Sequence, residues 1–154
     1  DDQMTRAELA ALLVRGVFGL KDDFTSSAVP YFEDVPTTHP LFRWVQKLAE
    51  LGITRGCSAA PARFCPADPA TRAQAAVLLI RARLGDSFPA PSRVEFDDAG
   101  EDHPMFRYVQ KLRELGITSG CAARAYCPDS PVTRGQAALL FARAFYTPFD
   151  EIYF

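Results

Sequence analysis

No apolar run in the 154 residues is long enough to cross a bilayer, so insertion as a membrane helix is not expected. The sequence also lacks the basic segment and apolar stretch of an export signal, since Asp1-Asp2 opens it. Because it starts almost on a helix cap, it reads as a fragment or a processed product from which such a signal is already gone. It has no basic excess. The net charge of -2 argues against a nucleic-acid partner, which requires a basic face or stripe. There is no Gly-rich phosphate loop, and no Ser or Cys nucleophile stands beside a His. Catalysis is therefore not expected, and no cofactor or metal is implied.

Histidine and cysteine are scarce and well placed. His39 and His103 each precede a Pro at what reads as a helix start, where the missing proline amide costs nothing. The four cysteines sit in two short loops, Cys57 with Cys65 and Cys121 with Cys127. Neither pair has the C-x-x-C spacing of a zinc knuckle or thioredoxin-like motif, and the histidines are far off in sequence. A local disulfide in each loop is the expectation, with zinc or free thiols as alternatives. Disulfides imply an oxidising compartment and hence an exported protein.

What the sequence does have is repetition. Thr5-Arg6-Ala7-Glu8 returns as Thr71-Arg72-Ala73-Gln74 and as Thr133-Arg134-Gly135-Gln136. A Thr three residues before Glu or Gln is a capping box at a helix start. Apolar residues follow at helical spacing: Leu9, Leu12, Leu13 and Gly16, then Ala75, Leu78, Leu79 and Ala82, then Ala137, Leu140, Phe141 and Ala144. The arginine is out of place. A cation in the first turn opposes the helix dipole, whereas Arg15, Arg81 and Arg143 near the helix ends agree with it. Arg6, Arg72 and Arg134 are either solvated side chains with apolar stems or the same donor fork presented three times.

A second kind of helix alternates with the first. It follows His39-Pro40, buries Phe42, Val45, Leu48 and Ala49, carries Trp44, and ends at Leu51-Gly52 with glycine as a left-handed cap. The register repeats: His39 to His103 and Cys57 to Cys121 are both 64 residues, while Cys65 to Cys127 and Thr71 to Thr133 are both 62. The second cysteine loop is thus two residues shorter. Asp34 and Asp98 recur at equivalent sites before these helices, where capping or a connector turn is the simplest role. Such a period indicates stacked helix–loop–helix repeats, and 154 residues accommodate a short array.

The order Phe-x-Asp-Val, an aromatic-bearing helix ending Leu-x-x-Leu-Gly-Ile-Thr-x-Gly, aromatic-x-Pro-Asp, and Thr-Arg-Ala-Glu/Gln resembles the S-layer homology motif of bacterial envelope proteins. The resemblance covers nearly the whole chain. It implies an all-α fold of helix–loop–helix repeats in a pseudo-threefold bundle, here with disulfide-stapled loops. Residues 1–19 read as the second helix of a truncated motif, 32–85 and 96–146 as full motifs, and 147–154 as an aromatic tail. It also implies non-covalent attachment to wall-linked polysaccharide, often with anionic pyruvylated sugars, through the motif arginine: Arg72, Arg134 and, less closely matched, Arg6. Gln74 and Gln136 replace the usual Glu, which removes a negative charge beside the arginine. The cysteine pairs depart from the common motif.

The leading expectation is an extracellular module of the bacterial surface or envelope that anchors an exported protein to anionic polysaccharide. Trp44 and Tyr108, equivalent in the repeat, are candidates to stack on a sugar, with core packing as the alternative. The competing expectation is a structural subunit of a surface layer or extracellular filament. The truncated motif and the apolar tail (Phe145, Tyr146, Phe149, Ile152, Tyr153, Phe154) suggest self-assembly.

Overall fold

Three threonines open three helices, and all three capping boxes are complete. Thr5 precedes α1 (Arg6–Phe18), Thr71 precedes α3 (Arg72–Leu84) and Thr133 precedes α5 (Arg134–Phe145). At α1 the Thr5 hydroxyl accepts from the Glu8 amide at 3.2 Å, and a Glu8 carboxylate oxygen accepts from the Thr5 amide at 2.8 Å. Each such cap stabilises its helix by about 1 kcal/mol. The other helices are α2 (Phe42–Glu50) and α4 (Phe106–Glu114). The computed structural model describes residues 2–19 and 23–146. The expected aromatic tail, 147–154, lies outside the described residues.

The described residues are mainly helical, with one hairpin of β1 (Ser58–Ala59) and β2 (Ala62–Arg63). Contacts group them into two units: residues 4–70, and residues 2–3 with 71–146. In the first, α1 packs on α2; in the second, α3 packs on α4 and on α5. α1 and α3 thus each pack on the short helix that follows in the chain. Packing also buries more of α1 and α3 than a single apolar face. Ala10 and Val14 on α1, and Ala76 and Ile80 on α3, are as buried as Leu13 and Leu79.

The short helices begin later than expected. Pro40 is not the first residue of α2; His39-Pro40 forms a turn ahead of it, and Leu41 is the cap. The His39 Nδ1 accepts from the Leu41 amide at 3.1 Å while its carbonyl accepts from Phe42. The imidazole thus bonds the amide of the cap residue itself, ahead of the helix, and His103 does the same for Met105; neither helix has a side-chain cap. Both helices end in a Schellman motif. Ile53 donates to the Leu48 carbonyl and Gly52 to that of Ala49, with Gly52 at φ +69°.

One side chain in each short helix organises the connector before it. Gln46 is fully buried. Its Oε1 accepts from the Tyr31 amide, and its Nε2 donates to the carbonyls of Val29 and Ser27. Gln110 accepts from Glu95 and donates to Ala99. A buried amide that completes its own bonds on passing backbone fixes that segment as helix packing alone would not.

Two glycines of the first unit separate conformation from space. A Cβ at Gly52 meets nothing within 4 Å, whereas at Gly56 it would lie 2.7 Å from Phe32 Cε1 and closer still to the Arg63 carbonyl oxygen. Gly52→Ala is expected to lose about 1–2 kcal/mol, the left-handed penalty alone. Gly56→Ala, at φ +80°, should lose more, because it adds overpacking of about 1–3 kcal/mol. Urea unfolding of the two variants measures the difference; equal losses would refute it.

Candidate functional site

The helix-start arginines are not solvated in α1 and α3. Arg6 is 9% exposed and Arg72 is 6% exposed. Arg72 Nε donates to the Tyr126 carbonyl at 2.8 Å, and its guanidinium lies 4.7 Å from the centre of the Tyr126 ring. The Tyr126 hydroxyl returns a bond to the Arg72 carbonyl at 2.9 Å. Burial pushes that phenol well above its ordinary pKa, so it stays protonated as this donor. Arg6 repeats the arrangement on Phe64, with Nε 2.7 Å from the Phe64 carbonyl and the guanidinium 4.9 Å from the ring. Burial lowers the Arg6 pKa, and the charges of Asp68 and Asp34 oppose that shift. Arg134 is exposed.

The aromatic residue under each arginine is held by the cysteine loop. Both disulfides are formed, Cys57–Cys65 and Cys121–Cys127. Asp34 and Asp98 lie in connector turns, as expected, but their carboxylates act across about thirty residues. The two carboxylate oxygens of Asp34 accept the amides of Phe64 and Cys65 at 2.8 and 2.7 Å. Those of Asp98 accept Tyr126 and Cys127, both at 2.8 Å. Asp34 and Asp98 each lie near a cysteine pair as a possible metal-ligand group, but the sulfurs are bonded to each other and offer no thiolate. The longer first loop forms the β1–β2 hairpin, whereas the shorter second loop has a single bridge, Ala122 to Ala125.

Within the second unit Arg72 lines a pocket of about 300 Å³. Thr118, Ser119, Gly120 and Cys121 form one wall, and Gln136, Leu139, Leu140 and Arg143 of α5 form the other. The lining residues include two arginines and no carboxylate. Arg143 was read from sequence only as a dipole-matched helix-end cation, and its place beside a first-turn arginine depends on how α3 and α5 pack. A larger pocket of about 650 Å³ lies between residues 90–94 and 101–107. It contains none of the expected site residues, and Glu101 and Asp102 offset Arg93 and Arg107 there.

The remaining expected residues are dispersed. Gln74 and Gln136 complete the capping boxes, each accepting through Oε1 from its capping Thr. Trp44 is 6% exposed, with Phe24 at 4.7 Å between ring centres and the Arg15 guanidinium 4.5 Å from its ring. The Tyr108 hydroxyl donates to Asp86 at 2.6 Å, and its ring packs against Phe88 and beneath Arg81. Both rings are thus engaged by protein groups.

The chain matches known proteins in two comparisons. The S-layer homology domain model matches residues 31–76 and 95–138, more than half of the chain, and the chain belongs to that family. It is also 32% identical over 120 residues to an endoglucanase of Bacillus sp. (strain KSM-635). That match covers 78% of this chain and 12% of the endoglucanase, so it concerns a small part of that enzyme.

The Asp34 clamp gives a testable consequence. Asp34→Ala leaves two loop amides without their charged acceptor, and the expected loss is about 2–4 kcal/mol in urea unfolding. Asp34→Asn, which keeps one acceptor oxygen, should lose about half as much. Equal stability of Asp34→Ala and the parent would show that the clamp is incidental.

Proposed function

We propose that this chain is a non-catalytic anchoring module of the bacterial cell surface, holding the polypeptide to which it belongs on an anionic envelope polysaccharide. The observation that carries this reading is the Arg72 pocket, where two guanidiniums and no carboxylate face one small cavity. The protein hydrogen bond to Arg72 uses Nε, which leaves the terminal nitrogens as a two-pronged donor for a carboxylate. Gln136 caps α5 through its oxygen, so its amide nitrogen is the end suited to a sugar hydroxyl or the anion. Leu139, 50% exposed, offers an apolar rim for a sugar face. An extracellular location agrees with two disulfides. No described helix is long and apolar enough to cross a membrane.

We take residues 1–19, 32–85 and 96–146 as one half and two full motifs of a pseudo-threefold arrangement. One hydrogen bond supports it by recurring at a constant offset. The amide following each capping Thr donates to the carbonyl three residues before another: Arg6 to Asp68, Arg72 to Ser130, and Arg134 to Asp2. A second reading, assembly with another copy of this chain, is favoured by α5. Ala138 and Ala142 are exposed there, although the equivalent Ala10 and Ala76, and Val14 and Ile80, are buried.

Binding to pyruvylated wall polysaccharide tests the anchor. Arg143→Ala removes a half-buried cation without disturbing the Tyr126 contact, and should weaken binding about ten- to a hundredfold. Arg72→Lys keeps the charge but loses the fork, and should weaken it at least as much. Circular dichroism checks the fold of both. Absence of binding by the parent chain would overturn the anchor, and concentration-dependent mass in solution would then favour assembly.

A further inference from the structure

Arg72 is placed by a loop whose two ends the disulfide joins. From one end, Ser119, Gly120 and Cys121 form a wall of the pocket. From the other, Tyr126 binds the Arg72 side chain and carbonyl, and Pro128 and Ser130 accept the amides of Ala73 and Arg72. Cys127 links the two, bonded to Cys121 and held by Asp98 through its amide. Cys127 also has φ +58°, a left-handed conformation that a non-glycine residue keeps when its surroundings over-determine it. The disulfide and the Asp98 bond are those surroundings, and Cys121 is exposed to a reductant.

We infer that Asp98, Tyr126 and the Cys121–Cys127 disulfide are the positioning device for Arg72, so that opening the disulfide switches off the anion pocket. The inference rests on the anchoring reading for its ligand, but the placement of Arg72 is measurable without one. The reductant is a dithiol. Its thiolate attacks the exposed Cys121 Sγ, forms a mixed disulfide and expels the Cys127 thiolate, which takes up a proton. The reductant's second thiol then closes its own disulfide and releases Cys121 as a thiol. Two electrons and two protons pass from the dithiol to the cystine. The freed loop no longer holds the Tyr126 carbonyl against Arg72 or the Gly120 wall against the pocket.

The test has two readouts on the whole chain. Solvent exchange of the Arg72 Nε–H, followed by nitrogen-15 NMR, should accelerate about tenfold or more with dithiothreitol and in a Cys121→Ser, Cys127→Ser variant. The Arg6 Nε–H should be unaffected in that variant and should respond instead to Cys57→Ser with Cys65→Ser. Affinity for pyruvylated wall polysaccharide should fall at least about tenfold in parallel, and the Cys121/Cys127 variant should no longer respond to dithiothreitol. Unchanged exchange at Arg72 after loss of the disulfide, in a chain with native circular dichroism, overturns the inference. If the serine variant does not fold, Asp98→Asn with the disulfide intact must accelerate the same exchange, and its failure to do so overturns the inference equally. Oxidised parent chain that binds no polysaccharide while Arg72 still responds to reduction refutes the anchor and supports the positioning device.

Discussion

The structure depends on a guanidinium buried at the start of a helix, where the backbone dipole repels it. Opposing the macrodipole costs about 0.3–1 kcal/mol, and desolvating the charge costs more. Two contacts offset this at both Arg72 and Arg6. The Nε–H bond to a loop carbonyl is charge-assisted, and the ring face beneath each guanidinium contributes up to about 2 kcal/mol when desolvated. At Arg6 the carboxylates of Asp68 and Asp34 add attraction. None of these partners is on the helix itself. A helix start that requires its loop to be in place couples the loop's geometry to the cation's position.

That coupling explains why the cysteine loop is tied so firmly. A six- or eight-residue loop closed by a disulfide gains about 2–3 kcal/mol from the restricted unfolded chain, yet the same loop also receives a dedicated carboxylate. Asp34 and Asp98 use both oxygens on consecutive amides, one belonging to the ring-bearing residue and one to the cysteine. The result is a single strand of backbone fixed at its carbonyl by arginine, at its amide by aspartate and at its neighbour by sulfur. Gly56 and Gly120 let Phe32 and Phe96 approach this strand from behind, packing on Phe64 and Tyr126 at 5.5 and 5.4 Å.

Features encoded within eight residues were legible in the sequence. The capping boxes, the Leu-Gly-Ile helix ends and the cysteine pairings all appear as read, because each is a local bond with a fixed offset. What was not legible acts across long separations. Asp34 reaches residues 64 and 65, Gln46 reaches back to residues 27–31, and Arg143 lines one pocket with Arg72. Spacing does not reveal such partners. Repetition was the available signal: Asp34 with Asp98 and Gln46 with Gln110 stand at identical offsets, which a turn former or an exposed amide has no reason to keep. The late start of α2 and α4 was hidden differently, since each His-Pro pair forms a turn ahead of its helix, closed by the imidazole accepting the amide two residues on.

The arginine that opposes its helix dipole is also the reason an anion would be welcome there. A carboxylate placed at the Arg72 fork would neutralise the guanidinium and face the positive end of α3 in one step, so both electrostatic costs of the empty state become contributions to affinity. An arginine at a helix end, like Arg143, has no such reserve, because the dipole already favours it. Pairing one of each gives the proposed pocket a strongly responsive cation and a merely attractive one. Glutamine at residues 74 and 136 follows the same logic: the cap has its acceptor oxygen without placing a negative charge at the helix start.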